Sequence, residues 1–164
     1  MSTTLGLRGE VVNAEPEFFE VGFEGTLAAS PEAVFETFEA IGSWWNPSHT
    51  FGGRAENYRF EQHERALLEN LETGWAKHME IAYWNKPRQV VLKGGLGPLM
   101  MLPVNGVMVW TFTETDEGTA IRLNYKVAGH SAGEQGLKVW AGPVNEVLQE
   151  QFNALLASVT KTGR

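Results

Sequence analysis

Hydrophobic and polar residues alternate along several stretches of the chain, and a period of two is typical of β-strands with one buried face. The alternation begins at Phe19, where Phe19, Val21, Phe23 and Leu27 share one face and Glu20, Glu24 and Thr26 share the other. The same pattern predicts strands over 104–114 and 121–127, and shorter strand candidates lie at 58–61, 65–71, 76–84 and 89–93. The chain is therefore rich in consecutive strands.

Helical patterns are confined to the two ends of this strand region. Ser30 followed by Pro31 and Glu32 predicts the start of a helix after the first strand, because these residues suit the N-cap and first turn. A second short helix or turn is expected over 41–46, ending before Pro47. Apolar residues from Val144 to Val159 recur at spacings of three and four, which predicts a long amphipathic C-terminal helix. This order predicts an α+β fold with an antiparallel sheet of about seven strands.

The length of 164 residues suits one domain, predicted over residues 17–164 after a flexible segment at 1–16. The net charge of −7 argues against a nucleic-acid partner and against docking on anionic membranes. No apolar stretch approaches the ~20 residues that span a bilayer, so membrane insertion is not expected. No signal peptide pattern is visible at the N-terminus, which favours a cytoplasmic protein; an exported protein with a trimmed leader is the alternative. The oligomeric state is not predicted.

A set of large residues would face the interior of the sheet if the alternation holds. The predicted ligand-binding residues are Trp44, Trp45, His49, Glu69, His78, Met100, Met108, Trp110, Tyr125, Trp140, Val144 and Leu148, with Met101 beside them. Methionine and aromatic side chains make adaptable walls for an apolar ligand. The alternative is that these residues simply fill the core, which is their commonest role.

Glu69 and His78 form the main polar candidate. If Thr73 and Gly74 make a two-residue hairpin turn, the pairing places Glu69 opposite His78 on one face of the sheet. A carboxylate that holds an imidazole in a dry pocket is an acid–base arrangement, so both are weak candidates for catalytic residues. The alternatives are an exposed cross-strand pair, or a longer turn that separates the two side chains.

Other reactive sites are disfavoured by the sequence. The chain has no cysteine, which excludes disulfides, thiolate metal sites and cysteine nucleophiles. The four histidines are scattered without metal-ligand spacing, and His49 in its loop is an expected contact at the cavity mouth or a cap of a backbone group. Neither a nucleophile elbow nor a phosphate-binding loop is present. We expect neither a metal nor a cofactor.

Residues 29–35 (Ala-Ser-Pro-Glu-Ala-Val-Phe) and 44–50 (Trp-Trp-Asn-Pro-Ser-His-Thr) resemble the opening signature of the activator of heat-shock ATPase homologue-like (AHSA-type) family. Looser agreement follows at 94–99, at 118–119 and over 139–144. This family is part of the START-like (SRPBCC) superfamily, which includes birch-pollen-allergen-like proteins. The resemblance covers roughly residues 18–160. It implies a helix-grip fold, in which a curved antiparallel sheet wraps around the C-terminal helix and encloses a cavity.

Three hypotheses of function follow. The first is binding of a small apolar or aromatic molecule in the cavity. The second is a cofactor-independent enzyme of the cyclase or dehydrase type, in which Glu69 with His78, or Tyr125, acts as acid and base. The third, which the resemblance implies, is a co-chaperone-like interaction domain. The same fold supports different functions, so the fold alone does not decide between them.

Overall fold

The fold is built on one antiparallel sheet, which we describe from a computed structural model of residues 9–15, 17–131 and 133–162. The strands are β1 (Glu10–Glu15), β2 (Phe18–Leu27), β3 (Tyr58–Glu61), β4 (Ala66–Leu71), β5 (Gly74–Asn85), β6 (Gln89–Lys93), β7 (Val104–Thr115) and β8 (Gly118–Gly129). Their order across the sheet is β1-β2-β8-β7-β6-β5-β4-β3. Every neighbouring pair is antiparallel, as the strand-rich sequence predicts.

Strand β1 is the main addition to the predicted sheet. The sequence pattern placed residues 1–16 in a flexible segment, but Glu10–Glu15 pairs with β2 at one edge of the sheet. The register shifts between Val11 and Asn13, and Val11 and Val12 are exposed, so the segment has no regular buried face. That lack of alternation is why the strand was not predicted. Residues 1–8 and 16 lie outside the described part of the chain.

The helices lie at the predicted places with small differences. Helix α1 (Pro31–Glu39) is capped by Ser30, whose Oγ accepts a hydrogen bond from the Ala33 N–H at 3.2 Å. The short helix or turn predicted over 41–46 is a 3₁₀ turn at Ile41–Ser43, and a further 3₁₀ turn, Pro47–His49, begins at Pro47. Helix α2 (Ala141–Thr162) packs against β2 and α1. No helix among the described residues has the length and apolar character needed to cross a bilayer.

The alternation predicted from the sequence is confirmed in the long strands. On β2, Phe19, Val21, Phe23 and Leu27 are all buried, and on β8 the buried positions are Thr119, Ile121, Leu123, Tyr125 and Val127. Apart from Thr119, these side chains belong to one continuous apolar core that also includes residues of α2. The core fixes the register of each strand, because a shift by one residue would turn the apolar set toward solvent.

A dense aromatic cluster fills the half of the core beneath α1. Phe38 lies at its centre, with its ring centroid 5.1 Å from the rings of Phe60, Trp110 and Phe112. Trp44 packs on the same side, and its indole N–H donates to the Phe38 carbonyl oxygen at 3.2 Å. Because the rings touch one another on all sides, this half of the interior is filled by the protein itself.

Replacement of Phe38 by alanine is expected to be strongly destabilising. The ring is fully buried, so Phe38→Ala should lower the free energy of unfolding by about 3–5 kcal/mol through lost burial and the cavity left behind. Urea unfolding measures this change. The control is Trp75→Ala, which removes an aromatic ring that is 67% exposed and should change stability by less than about 0.5 kcal/mol. Equal losses in the two variants would contradict a packed cluster.

Candidate functional site

The other half of the interior contains an open cavity of about 300 Å³ between α2 and the sheet. Its wall consists of Trp45, Ser48, His49, Thr50, Phe51, Tyr58, His78, Leu96, Gly97, Pro98, Leu99, Tyr125, Trp140, Pro143, Val144, Val147 and Leu148. Tyr58, His78 and Leu148 are buried at its inner end, whereas Phe51 and Pro143 are exposed at its rim. A site of this size is at the lower end of the range for small-molecule pockets.

Seven of the twelve residues predicted to contact a ligand lie in this wall. They are Trp45, His49, His78, Tyr125, Trp140, Val144 and Leu148. They come from four separate parts of the chain, and the fold brings them together at one end of α2. Their contact with a ligand stays a prediction, because the cavity defines only where they lie.

The remaining five predicted residues are outside the wall. Trp44, Met108 and Trp110 point inward as expected but belong to the packed core, where the Trp110 ring lies 6.1 Å from Phe152. The sequence pattern accounts for their burial. Whether a buried residue belongs to the packed core or to the cavity wall depends on α1, which packs over the core.

Met100 and Glu69 lie outside the cavity wall for different reasons. Met100 lies in the 3₁₀ turn Gly97–Met101 and borders a shallow depression outside the cavity, while its neighbour Met101 is 75% exposed. A tight turn directs successive side chains apart, so only Leu99 from this turn is buried. Glu69 is completely buried but lies behind His78 rather than in the wall.

Several wall residues were not predicted as ligand contacts. Val147 belongs to the apolar stripe of α2, one turn after Val144, and that spacing could have identified it. Tyr58 begins β3, but its short strand gives little alternation to follow. Thr50 and Phe51 lie in a loop, where no periodicity reports which way a side chain points.

Glu69 and His78 are in direct contact at the inner end of the cavity. The Nε2 atom of His78 lies 2.8 Å from Oε1 of Glu69, and both side chains are almost completely buried. Glu69 also accepts hydrogen bonds from the N–H groups of Phe51 (3.1 Å) and Gly52 (2.7 Å). The alternative of an exposed pair is therefore wrong, and the two side chains are not separated by a longer turn.

The pair forms through a different register from the predicted one. The hairpin turn is Glu72-Thr73, so Leu71 pairs with Gly74 and Glu69 pairs with Ala76 rather than His78. Further along, Leu68 pairs with Lys77 and Leu67 with Met79, which leaves His78 as the extra residue of a β-bulge. A bulge redirects a side chain locally. His78 thereby reaches Glu69 diagonally across the inner face.

The buried pair holds a negative charge on Glu69 and a neutral ring on His78. Burial alone would raise the pKa of Glu69, but the hydrogen bonds from Gly52, His78 and Phe51 outweigh it and lower that pKa. Burial lowers the pKa of His78, against the opposing effect of the Glu69 carboxylate. A neutral ring beside an ionised carboxylate carries its proton on Nε2, since two acceptors would not approach to 2.8 Å.

This tautomer leaves Nδ1 of His78 as a hydrogen-bond acceptor. Nδ1 is buried and has no hydrogen-bond partner in the described ranges of the chain. The imidazole contacts two aromatic rings, since the ring centroid of Tyr58 lies 4.7 Å away and Phe51 stacks on it at 5.2 Å. Buried polar atoms are nearly always paired, so a fixed ring with a free acceptor is a candidate for contact with a ligand.

The hydroxyl of Tyr125, the other predicted acid or base, is hydrogen-bonded to the backbone. It donates to the Gly94 carbonyl oxygen at 2.9 Å and accepts from the Leu96 N–H at 3.0 Å. Burial raises the pKa of Tyr125 to about 12, so the hydroxyl stays protonated. Gly106 permits this arrangement, because a Cβ there would lie 2.2 Å from the Gly94 oxygen. Tyr125 thus fixes the segment that carries Leu96 and Leu99 into the wall.

Residues 46–53, which we call the mouth loop, border the opening of the cavity. Asn46 caps its 3₁₀ turn by accepting from the Ser48 N–H at 2.9 Å. The buried side chain of Gln151 on α2 accepts from the Asn46 N–H at 2.9 Å and lies 2.7 Å from Nδ1 of His49. The loop is therefore fastened to α2 at one end and to Glu69 at the other.

Comparisons with known proteins concern the fold. MLL2253 from Mesorhizobium loti has a TM-score of 0.61 at 12% identity and covers 88% of this chain and 99% of its own. SA2116 from Staphylococcus aureus has a TM-score of 0.58 at 16% identity, with coverage of 89% and 95%. The di-domain ARO/CYC StfQ from the steffimycin biosynthetic pathway has a TM-score of 0.62 at 13% identity, covering 89% of this chain and 52% of its own. The chain has the helix-grip fold.

At 12–16% identity, this similarity concerns the fold alone and identifies no family. No family model matches the chain, and the curated proteins give no match either. In the described part of the molecule, no three His, Asp or Glu side chains are grouped so that they could hold a metal ion.

The buried neutral state of His78 predicts a pH dependence of stability. The pKa of His78 in the folded protein lies below the ordinary value of 6.5. As the pH falls through 6.5, His78 therefore becomes protonated in the unfolded chain but stays neutral in the folded protein. The free energy of unfolding should decrease on acidification from about pH 7 to about pH 5, by about 1.4 kcal/mol for each pH unit between the two pKa values.

Urea unfolding of the wild type and of His78→Gln measures this effect. The glutamine keeps a donor toward Glu69 but does not titrate, so its stability should fall less steeply over the same range. Glu69 contributes little here, since its lowered pKa places its own loss of stability at more acidic pH. Parallel slopes for the two proteins, or an NMR titration of His78 at or above 6.5, would contradict the assignment.

Proposed function

We propose that the protein binds a small, largely apolar or aromatic molecule in the cavity beside α2. The observation that carries this proposal is the division of the interior, which is filled with rings beneath α1 and left open by about 300 Å³ between α2 and the mouth loop. An unfilled space of this size forgoes favourable packing, so a protein gains little from keeping it unless something binds there.

The wall favours a flat apolar ligand. Trp45, Trp140 and Leu148 offer large hydrophobic surfaces, and the stacking of Trp45 on Tyr58 at 5.0 Å keeps that side rigid. Aromatic walls bind planar rings by burial of area together with stacking. Among the buried polar side-chain atoms of the wall residues, only Nδ1 of His78 has no hydrogen-bond partner in the described part of the chain.

The resemblances support a cavity function without specifying it. The AHSA-like residues 44–50 provide Trp45 and the first half of the mouth loop, and the superfamily to which that family belongs includes proteins that carry ligands in this cavity. The structural neighbour StfQ is an ARO/CYC protein of a biosynthetic pathway. At 13% identity, its similarity to this chain supports the fold and not a shared activity.

Binding of a neutral apolar dye tests the proposal. N-phenyl-1-naphthylamine fluoresces strongly in apolar surroundings and should bind the wild type with a stoichiometry of about one, as expected for one pocket per chain. Val144→Trp places an indole in the cavity from α2 and should weaken the dye by at least about tenfold, since the space is no longer free.

Ala157→Trp is the matched control, because it adds the same indole to an exposed position of the same helix and should leave binding unchanged. Circular dichroism establishes that both variants are folded. If the wild type does not bind the dye, or if Val144→Trp binds it as well as Ala157→Trp does, the cavity is not a ligand site and the proposal is wrong.

A second candidate function, proton transfer on a bound molecule, is favoured by one specific observation. His78 presents a free Nδ1 while Glu69 holds the opposite nitrogen, so a proton taken up at Nδ1 would create an imidazolium stabilised by the carboxylate 2.8 Å away. This is the arrangement of a general base, and it needs neither metal nor cofactor. The cyclase-type hypothesis is kept on this ground, with His78 as the base.

The Kemp elimination of 5-nitrobenzisoxazole tests this candidate with a planar aromatic probe. His78 Nδ1 would remove the ring C–H proton while the N–O bond breaks, which releases 2-cyano-4-nitrophenolate and can be followed by absorbance. His78→Gln should lose the acceleration, whereas His63→Gln, which removes an exposed histidine, should keep it. A rate in wild type no higher than in His78→Gln would show that His78 is not a base for bound molecules.

A further inference from the structure

The electrostatic character of the cavity is set by a residue that does not line it. The wall residues of the described structure include neither lysine nor arginine, so the wall has no permanently cationic side chain for an anionic ligand. The nearest fixed charge at the inner end is the carboxylate of Glu69, directly behind the ring of His78. Across a buried imidazole such a charge is poorly screened, since the interior has a low dielectric constant.

This charge cannot easily be removed. Glu69 uses one oxygen to accept from Gly52 and the other to accept from Phe51 and His78. Protonation of the carboxylate would replace an acceptor by a donor facing one of these donors, so the ionised form is maintained. The pKa of the neighbouring Tyr58 is raised well above its ordinary value, first by burial and then by the Glu69 charge, which points to negative potential at the cavity wall.

The same hydrogen bond determines what His78 offers to a ligand. With Nε2–H donated to Glu69, the other ring nitrogen, the buried Nδ1, has only a lone pair, which accepts and does not donate. Tyr125 cannot compensate, because its hydroxyl is occupied by Gly94 and Leu96. A ligand group that reaches His78 gains a hydrogen bond by donating, and leaves a buried acceptor unpaired if it cannot donate.

We propose that Glu69 acts as a specificity-determining residue, which makes the cavity select neutral aromatic molecules that donate a hydrogen bond to His78 and exclude their anionic counterparts. The chemical class is a neutral hydroxyaromatic molecule rather than a carboxylate of the same ring. Glu69 contributes through His78, as a positioning and charge-setting residue, and does not touch the ligand. This inference rests on the proposed binding function of the cavity.

Three naphthalenes of nearly equal shape test the selection by isothermal titration calorimetry at about pH 7. 2-Naphthol can donate a hydrogen bond, 2-methoxynaphthalene can only accept, and 2-naphthoate is anionic. We expect 2-naphthol to bind about tenfold more tightly than 2-methoxynaphthalene, which leaves Nδ1 unpaired. 2-Naphthoate should bind at least about a hundredfold more weakly than 2-naphthol, because like charges brought together in a buried site repel strongly.

The variant Glu69→Gln then assigns the selection to Glu69. Without the charge, 2-naphthoate should gain at least about tenfold in affinity, and the gap between 2-naphthol and 2-naphthoate should narrow. Glu80→Gln is the matched control, since it removes the same charge from an exposed position of the strand that carries His78 and should change none of the affinities. The wild-type comparison keeps the proposal testable even if Glu69→Gln does not fold.

The outcomes separate the two proposals. Tight binding of all three naphthalenes would overturn the selection while the binding function stands. A gain for 2-naphthoate that is equal in Glu69→Gln and Glu80→Gln would overturn the role of Glu69. Failure of the neutral dye and of all three naphthalenes to bind would retire the cavity as a ligand site, and the selection with it.

Discussion

The buried carboxylate of Glu69 accepts three hydrogen bonds, and the arrangement of the cavity depends on them. Two come from backbone amides of the mouth loop, and the third comes from His78 on the next strand. A carboxylate without these donors would be very costly to bury, whereas with them it joins loop, strand and imidazole into one unit. The position of Phe51 over the His78 ring follows from the same contacts, since its own N–H is one of the donors.

The sequence motif Trp44-Trp45 lies at the boundary between the two halves of the interior. Trp44 turns toward Phe38 and Trp110 in the packed cluster, while Trp45 stacks on Tyr58 in the cavity wall. Their ring centroids are 5.8 Å apart, so one contact separates the filled half from the open half. The filled half supplies the packing that a folded domain requires, which allows the other half to remain unfilled.

The sequence predicts the long strands, the two α-helices and the inward direction of most large side chains. It does so because an element with one buried face has apolar residues at a regular spacing. The contact between Glu69 and His78 was predicted, but the backbone register beside it was not. The hairpin turn lies one residue earlier than expected and the bulge at His78 restores the contact, and neither feature leaves a periodic signal. Strand β1 was missed because its edge position and register shift leave it without a regular buried face. The division into core and cavity depends on contacts between distant elements, such as Phe38 of α1 with Trp110 of β7, which no local pattern reports.

Because Glu69 contacts both the mouth loop and His78, it links ligand binding to the position of the loop and to the proton affinity of His78. In the resting state the pair carries one buried negative charge, held by a neutral ring and two amides. A ligand that donates a proton or a strong hydrogen bond to Nδ1 increases the positive character of the ring and so strengthens its interaction with the carboxylate. A ligand that brings negative charge weakens that interaction. Because Phe51 and Gly52 donate to the same carboxylate, it also destabilises the position of the mouth loop. The contacts that fasten the mouth loop are therefore also the ones that favour a donor over an anion.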